Sequence, residues 1–222
     1  MPISISLLAS YGSLEGSSRT FNVTLGGSGT NNAIIIYVPT HYGVHNNCSA
    51  TVGGVAATKF ISLSNGTNAA SLAVLGRKGL APGTYSVYVS PNEFHVWRVL
   101  VYAVYDTVGW AASSTTYINQ ANATTKTVTP SLTAGALFVE HTRNNATSNA
   151  VRPTPSSSQT RLGGIIEDNG TYYENDNIHY KLNVGAAPSL SMYYSNNYNN
   201  QNVYAGIEYL PVASSGSVIW FT

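Results

Sequence analysis

No stretch of a dozen residues in this chain sets apolar side chains at the i, i+3, i+4, i+7 spacing of an amphipathic helix. Short runs of β-branched and aromatic residues recur instead, divided by clusters of Gly, Asn, Ser and Pro. Phe21, Val23 and Leu25 alternate with polar residues in RTFNVTL, and Tyr85, Val87 and Val89 do the same in TYSVYVS. That period of two is the mark of a strand with one buried face. AIIIYV (33–38) is apolar throughout, as a strand buried on both faces must be. VWRVLVYAVY (96–105), ALFVEH (136–141), YKLNV (180–184), NVYAGIEYL (202–210) and SVIWF (217–221) continue the series. Weaker runs at 3–8, 51–62, 70–75, 124–129 and 190–194 bring the total to about a dozen strands.

The punctuation between the runs is turn chemistry. Gly26-Gly27, Asn65-Gly66, Ala81-Pro82-Gly83 and Asn169-Gly170 supply the positive or fixed φ that tight turns need. The sequence therefore predicts an all-β fold: a two-sheet antiparallel β-sandwich, jelly-roll-like, occupying 1–222 as a single domain. RNNATSNAVRPTPSSSQTR (143–161) has no apolar period and is expected to be a long surface loop. The core is expected to draw on Ile34, Ile36, Val87, Val89, Leu100, Tyr102, Leu137, Val139, Ile207 and Trp220. An internal echo links TLGGSGTNNAIIIYVPTHYG (24–43) to VTPSLTAGALFVEHTRNN (128–145). Each has an alternating strand, a Gly-containing turn, then an apolar strand that ends near a His.

Composition narrows the function classes. Charged residues make up 9% of the 222 positions, against roughly 25% in ordinary soluble domains. Net charge is +1 and no basic run occurs, so a nucleic-acid partner is not expected, because phosphate neutralisation needs clustered Lys and Arg. A membrane partner is not expected either. No apolar stretch reaches the roughly 18–20 residues of a spanning helix, and no basic amphipathic helix is present. The opening MPISISLLAS lacks the positive n-region of a secretory signal. A single cysteine, Cys48, leaves no internal disulfide to form, and it is expected to be a small buried side chain.

TVGGVAATKF, then ASLAVLGRKGLAPGTYSVYVS, then VLVYAVYDTVG follow one another in an order that carries a resemblance. A Gly-Val strand is followed by a strand ending before a Pro-Gly turn, a Thr-Tyr-x-Val strand, and a long strand closing on Tyr and Asp. Over roughly residues 20–140, including Pro130 to Glu140, this resembles the jelly-roll-like β-sandwich modules of tailed-phage virion proteins. The resemblance implies a protein of the capsid decoration, cement or tail class. Its motifs are structural, so they bear on fold before function.

Residues able to carry chemistry are few. Four of the nine acidic residues fall in EDNGTYYEND (167–176), where Asp168 and Asp176 are weak calcium candidates beside the plain reading of a solvated hairpin tip. Glu140, Glu167 and Glu208 lie on or beside predicted strands; a glycosidase would need two of them across one sugar bond, and a solvent-facing Glu is the expectation. His41, His45 and Cys48 have no fourth zinc ligand nearby and no standard spacing. The G-x-S-x-G elbow and the phosphate-binding glycine motifs are absent. No metal or cofactor is expected, and no enzymatic activity.

The sharpest feature is MYYSNNYNNQNVYAG (192–206). Tyr193, Tyr194, Asn196, Asn197, Tyr198, Asn200 and Tyr204 combine large aromatic area with adaptable amide hydrogen bonding, the mixture that paratopes use. They are expected to form interface or ligand contacts. The sequence thus points first to a virion-surface structural protein that binds copies of itself and other virion proteins. A receptor- or glycan-binding module on a phage tail or cell surface is the second reading, and a glycan-cleaving enzyme the third.

Overall fold

The computed structural model describes residues 3–14, 16–40, 47–64, 71–91, 97–110, 116–119, 125–128, 132–146, 159–168, 173–184, 190–193 and 201–212. Among these no α-helix occurs. The first nine strands are β1 (Ser4–Leu14), β2 (Arg19–Leu25), β3 (Asn32–Thr40), β4 (Ser49–Val52), β5 (Val55–Ala56), β6 (Thr58–Ser64), β7 (Ser71–Leu80), β8 (Gly83–Ser90) and β9 (Trp97–Tyr105). Eight more follow: β10 (Thr107–Trp110), β11 (Thr116–Asn119), β12 (Thr125–Val128), β13 (Ala136–Ala146), β14 (Thr160–Asp168), β15 (Tyr173–Val184), β16 (Leu190–Tyr193) and β17 (Gln201–Pro211). Every pairing between them is antiparallel.

The first nine strands make two sheets, ordered β1-β9-β3-β7-β6 and β2-β8-β4-β5. Apart from the β4–β5 and β6–β7 hairpins, successive strands switch between them, which is the jelly-roll order expected from the sequence. Alternation explains the packing. Val23 and Leu25 of β2, Val52 of β4, and Val87 and Val89 of β8 point at Ile34, Ile36 and Val38 of β3 and Val99, Val101 and Ala103 of β9. Cys48 joins this aliphatic layer, 2% exposed. Burying an aliphatic side chain of this size stabilises the fold by roughly 1.5–3 kcal/mol.

The later strands repeat the order. One sheet runs β10-β17-β13-β15-β14, with β11 also paired to β17, and β12 pairs with β16. Replacing β1, β9, β3, β7 and β6 by β10, β17, β13, β15 and β14 gives the same path, and β2-β8 corresponds to β12-β16. The sequence echo joins equivalent positions, since β2–β3 matches β12–β13. Between Ala146 and Thr160, where partners of β4 and β5 would fall in chain order, only Gln159 is described. The antiparallel sandwich read from the sequence is therefore built on an order that recurs along the chain.

The two large sheets pack on each other. Ile35 and Tyr37 of β3, Leu100, Tyr102 and Val104 of β9, and Leu72 and Val74 of β7 meet Leu137 and Val139 of β13, Ile178 of β15, and Ala205, Ile207 and Tyr209 of β17. β3 and β9 thus bury both faces, which is why their sequences are apolar without alternation. The expectation of a loop over 143–161 is corrected at both ends. Residues 143–146 continue β13 opposite β15 and β17, and Thr160 and Arg161 open β14 opposite β15. Backbone pairing on both sides of β13 ordered a stretch whose side chains gave no apolar period. Of the ten expected core residues, nine are buried and Trp220 lies outside the described residues.

Candidate functional site

Strand alternation gives β13 two chemically different faces. Leu137, Val139, His141 and Arg143 turn toward the first large sheet, while Phe138, Glu140 and Thr142 turn to the far side. The register places Glu140 between Gly206 of β17 and His179 of β15, so these three share the far face. Tyr204 and Glu208 of β17 belong to it as well, because they lie two residues to either side of Gly206.

Glu140 is fully buried, and its Oε1 accepts a 2.7 Å hydrogen bond from the Tyr204 hydroxyl. Among the described residues its Oε2 meets no donor in hydrogen-bond geometry, although the Gln159 side chain acts on the carboxyl. Burial pushes the Glu140 carboxyl up to about 7, and side-chain hydrogen bonds from Tyr204 and then Gln159 oppose that rise. His179 is fully buried too, and among the described residues neither of its ring nitrogens has a partner. Burial first, and then the Arg161 charge, pull it down to about 4, so it is a neutral imidazole. Thr142 Oγ1, on the same face, is also buried without a partner among the described residues. Each such group costs roughly 1–3 kcal/mol relative to a satisfied one. The expectation that Glu140 and Glu208 face solvent is overturned: they are 0% and 3% exposed.

Glu140 and Glu208 are held by different partners. Glu208 Oε1 accepts a hydrogen bond from the Thr133 backbone N–H. The ring of Phe138 lies over Gly206, filling the place a Cβ would take between Tyr204 and Glu208. The third candidate, Glu167, is on β14, and its side chain is outside the described residues.

Between the two large sheets lies a second polar group. His141 Nδ1 donates to the Ala205 carbonyl at 3.3 Å, which leaves Nε2 to accept from the Tyr102 hydroxyl at 2.9 Å. Tyr209 then donates to Tyr102 at 2.7 Å. Burial holds His141 down at about 3 and raises both phenols. The Tyr37 hydroxyl donates to the Thr142 carbonyl at 2.8 Å. Nearby, Arg143 contacts both carboxylate oxygens of Asp176 at 3.0 Å, and Arg98 reaches it at 3.5 Å. These contacts fix how one sheet sits on the other.

The residues singled out from the sequence fall in different places. Asp176 is not a calcium ligand on a hairpin tip: it is fully buried and paired with two arginines, which neutralise the charge a cation would need. Asp168 ends β14 opposite Tyr173, and its side chain is outside the described residues. Tyr204 is not available as a contact residue; it is fully buried against Glu140. Tyr193 is on β16 opposite Thr125 of β12. Tyr194, Asn196, Asn197, Tyr198 and Asn200 lie outside the described residues, as do His41 and His45. Burial pushes the Cys48 thiol up to about 12, which keeps it protonated. Among the described residues no group of three His, Cys, Asp or Glu could hold a metal, and no helix is long and apolar enough to cross a membrane.

Sequence reasoning missed the Glu140–His179 pair. One signal was there: ALFVEH carries a Glu and a His within an otherwise apolar strand, and its echo AIIIYV carries neither. No protein-family model and no curated protein matches the chain.

Proposed function

We propose that this chain is a non-enzymatic structural protein of a virion, decorating or cementing a tailed-phage capsid through contacts with its own copies and with other virion proteins. The observation that carries the reading is the jelly-roll strand order of β1–β9 and its repetition in the later strands. Jelly rolls serve as capsid and lectin domains. The exposed face of β2 and β8 fits lateral contact: Thr20, Asn22, Thr24, Thr84, Ser86 and Tyr88 line it without a charge. Contacts of this kind hold at high salt, where ion pairs are screened.

The test is addition of the purified chain to capsids that lack it. Saturable binding with a fixed copy number, unchanged in molar salt and weakened by joint Ala substitution of Tyr193, Tyr194 and Tyr198, is the expected result. Absence of capsid binding, together with binding to isolated glycans, would replace this reading with the receptor-binding one.

A further inference from the structure

Asp106 is the single residue between β9 and β10, and so the link between the two sets of strands. It is also the one non-glycine with positive φ among the described residues, at 55°. Asp tolerates this left-handed conformation better than most residues. Here tertiary hydrogen bonds hold it in place. The Val212 N–H donates to the Asp106 carbonyl at 3.1 Å, and the next N–H along the chain, that of Thr107, donates to the Asn31 carbonyl at 2.8 Å. Thr107 Oγ1 adds a 2.8 Å bond to the Leu210 carbonyl. The backbone on both sides of the carboxylate is fixed before any ligand arrives.

The Asp106 side chain lines a cleft of about 280 Å³, together with Ser4, Gly27, Ser28, Asn32 and Tyr105. That volume lies near the lower end of small-molecule sites, roughly 300–1,000 Å³. The walls are held as firmly as the floor. The Tyr105 hydroxyl is paired with Ser6 Oγ at 2.9 Å. Gly27, with φ 83°, lets the β2–β3 loop close on the Tyr105 ring; a Cβ there would stand 3.0 Å from the ring. Asn32 is anchored by a 3.0 Å bond from its Nδ2 to the Leu80 carbonyl.

The lining chemistry selects a ligand class. Asp106 is half-buried, so a ligand that displaces water from its carboxylate must bring hydrogen-bond donors in its place. No Lys or Arg lines the cleft, so an anionic ligand would meet only a like charge. A purely apolar ligand would strip water from the carboxylate and return nothing. Calcium takes six to eight oxygen ligands, usually several of them anionic, and one carboxylate lines this site. A molecule with adjacent hydroxyls and an apolar ring face suits the acceptor and the tyrosine together.

We propose that this cleft binds the terminal sugar of a neutral glycan, with Asp106 accepting hydrogen bonds from adjacent hydroxyls and Tyr105 supplying apolar contact. Glycan binding at this cleft is compatible with capsid binding, and failure of the cleft to bind sugar would leave the capsid reading untouched.

The experiment is saturation-transfer NMR on the intact chain with the methyl glycosides of glucose, galactose, mannose and N-acetylglucosamine at millimolar concentration, with and without a calcium chelator. Two variants accompany it. Asp106→Asn keeps the size and the left-handed backbone. Ser28→Trp fills the cleft from an exposed position and so leaves the fold intact. Saturation transfer to at least one sugar is expected, unaffected by the chelator. Asn at 106 should weaken it at least about tenfold, the loss expected for a hydrogen bond to a charged group, and Trp at 28 should abolish it. Transfer to none of the four sugars would overturn the proposal. So would binding that both variants retain, or binding that the chelator removes, which would assign the carboxylate to a cation.

Discussion

Equivalent positions in the two large sheets hold opposite chemistry. In the first, Ile36 lies between Val101 and Leu75; in the second, Glu140 lies between Gly206 and His179. Strand order and facing make these rows equivalent, since each lies on the side turned away from the other large sheet. The first row is closed by the aliphatic layer of β2, β4 and β8. The second buries an acid and an imidazole that the described residues satisfy only in part. Strand order is thus set by alternation, turn chemistry and the shared interlayer, while the outward row of each sheet is free to vary. The polar row carries a stability cost that the aliphatic row avoids.

The comparison can be broken most severely by moving the acid. Ile36→Glu places a carboxyl among Val23, Val52 and Val87 with no hydroxyl like that of Tyr204 to meet it. A loss beyond about 4 kcal/mol is expected, seen as failure to accumulate folded protein or as collapse of the urea midpoint. Retention of the parent midpoint would show that the first row is not closed as described. The reverse exchange, Glu140→Ile with His179→Leu, installs the aliphatic pair in the second row. Stability should hold or rise by about 1–4 kcal/mol, as when buried polar groups give way to apolar ones of similar volume.

The smallest effect is in pH dependence, and its sign follows from the three buried groups. Glu140, raised from 4.5 to about 7, contributes stability that is full below pH 4.5 and lost as pH rises through 7. His141 and His179, lowered from 6.5 to about 3 and about 4, contribute stability that is present above pH 6.5 and lost as pH falls. Between pH 4.5 and 6.5 the two histidines outweigh the one acid by one proton. Their summed contribution should rise with pH by about 1.4 kcal/mol per unit there, then decline toward and just past pH 7. In Glu140→Gln the rise should be steeper and the decline absent. Urea midpoints across this range report both slopes.

Much of the scaffold was legible in the sequence. RTFNVTL and TYSVYVS show the alternation of one-sided strands, and AIIIYV reads as doubly buried because it is. β14 was missed because TRLGGIIED has two glycines and no alternation; β15 supplies its backbone partners. The polar cluster was harder to read. Glu140 and His179 are about 40 residues apart in sequence, and only the register of β13 against β15 makes them neighbours. Tyr204 was taken for a contact residue because it follows a Tyr/Asn tract, yet the β17 pairing turns it onto Glu140. Composition reveals that an acid exists, whereas its partner depends on pairings too distant for local pattern to show.

The central claim is that the second sheet buries a neutral carboxylic acid where the first buries an aliphatic side chain. Infrared difference spectroscopy of the parent against Glu140→Gln observes this group directly. A protonated carboxyl C=O band, present in the parent, absent in the variant, and fading as pH rises through about 7, is the predicted result. A band that has already titrated away near the ordinary value of 4.5 would contradict the account, because it would make Glu140 an ionised, hydrated carboxylate.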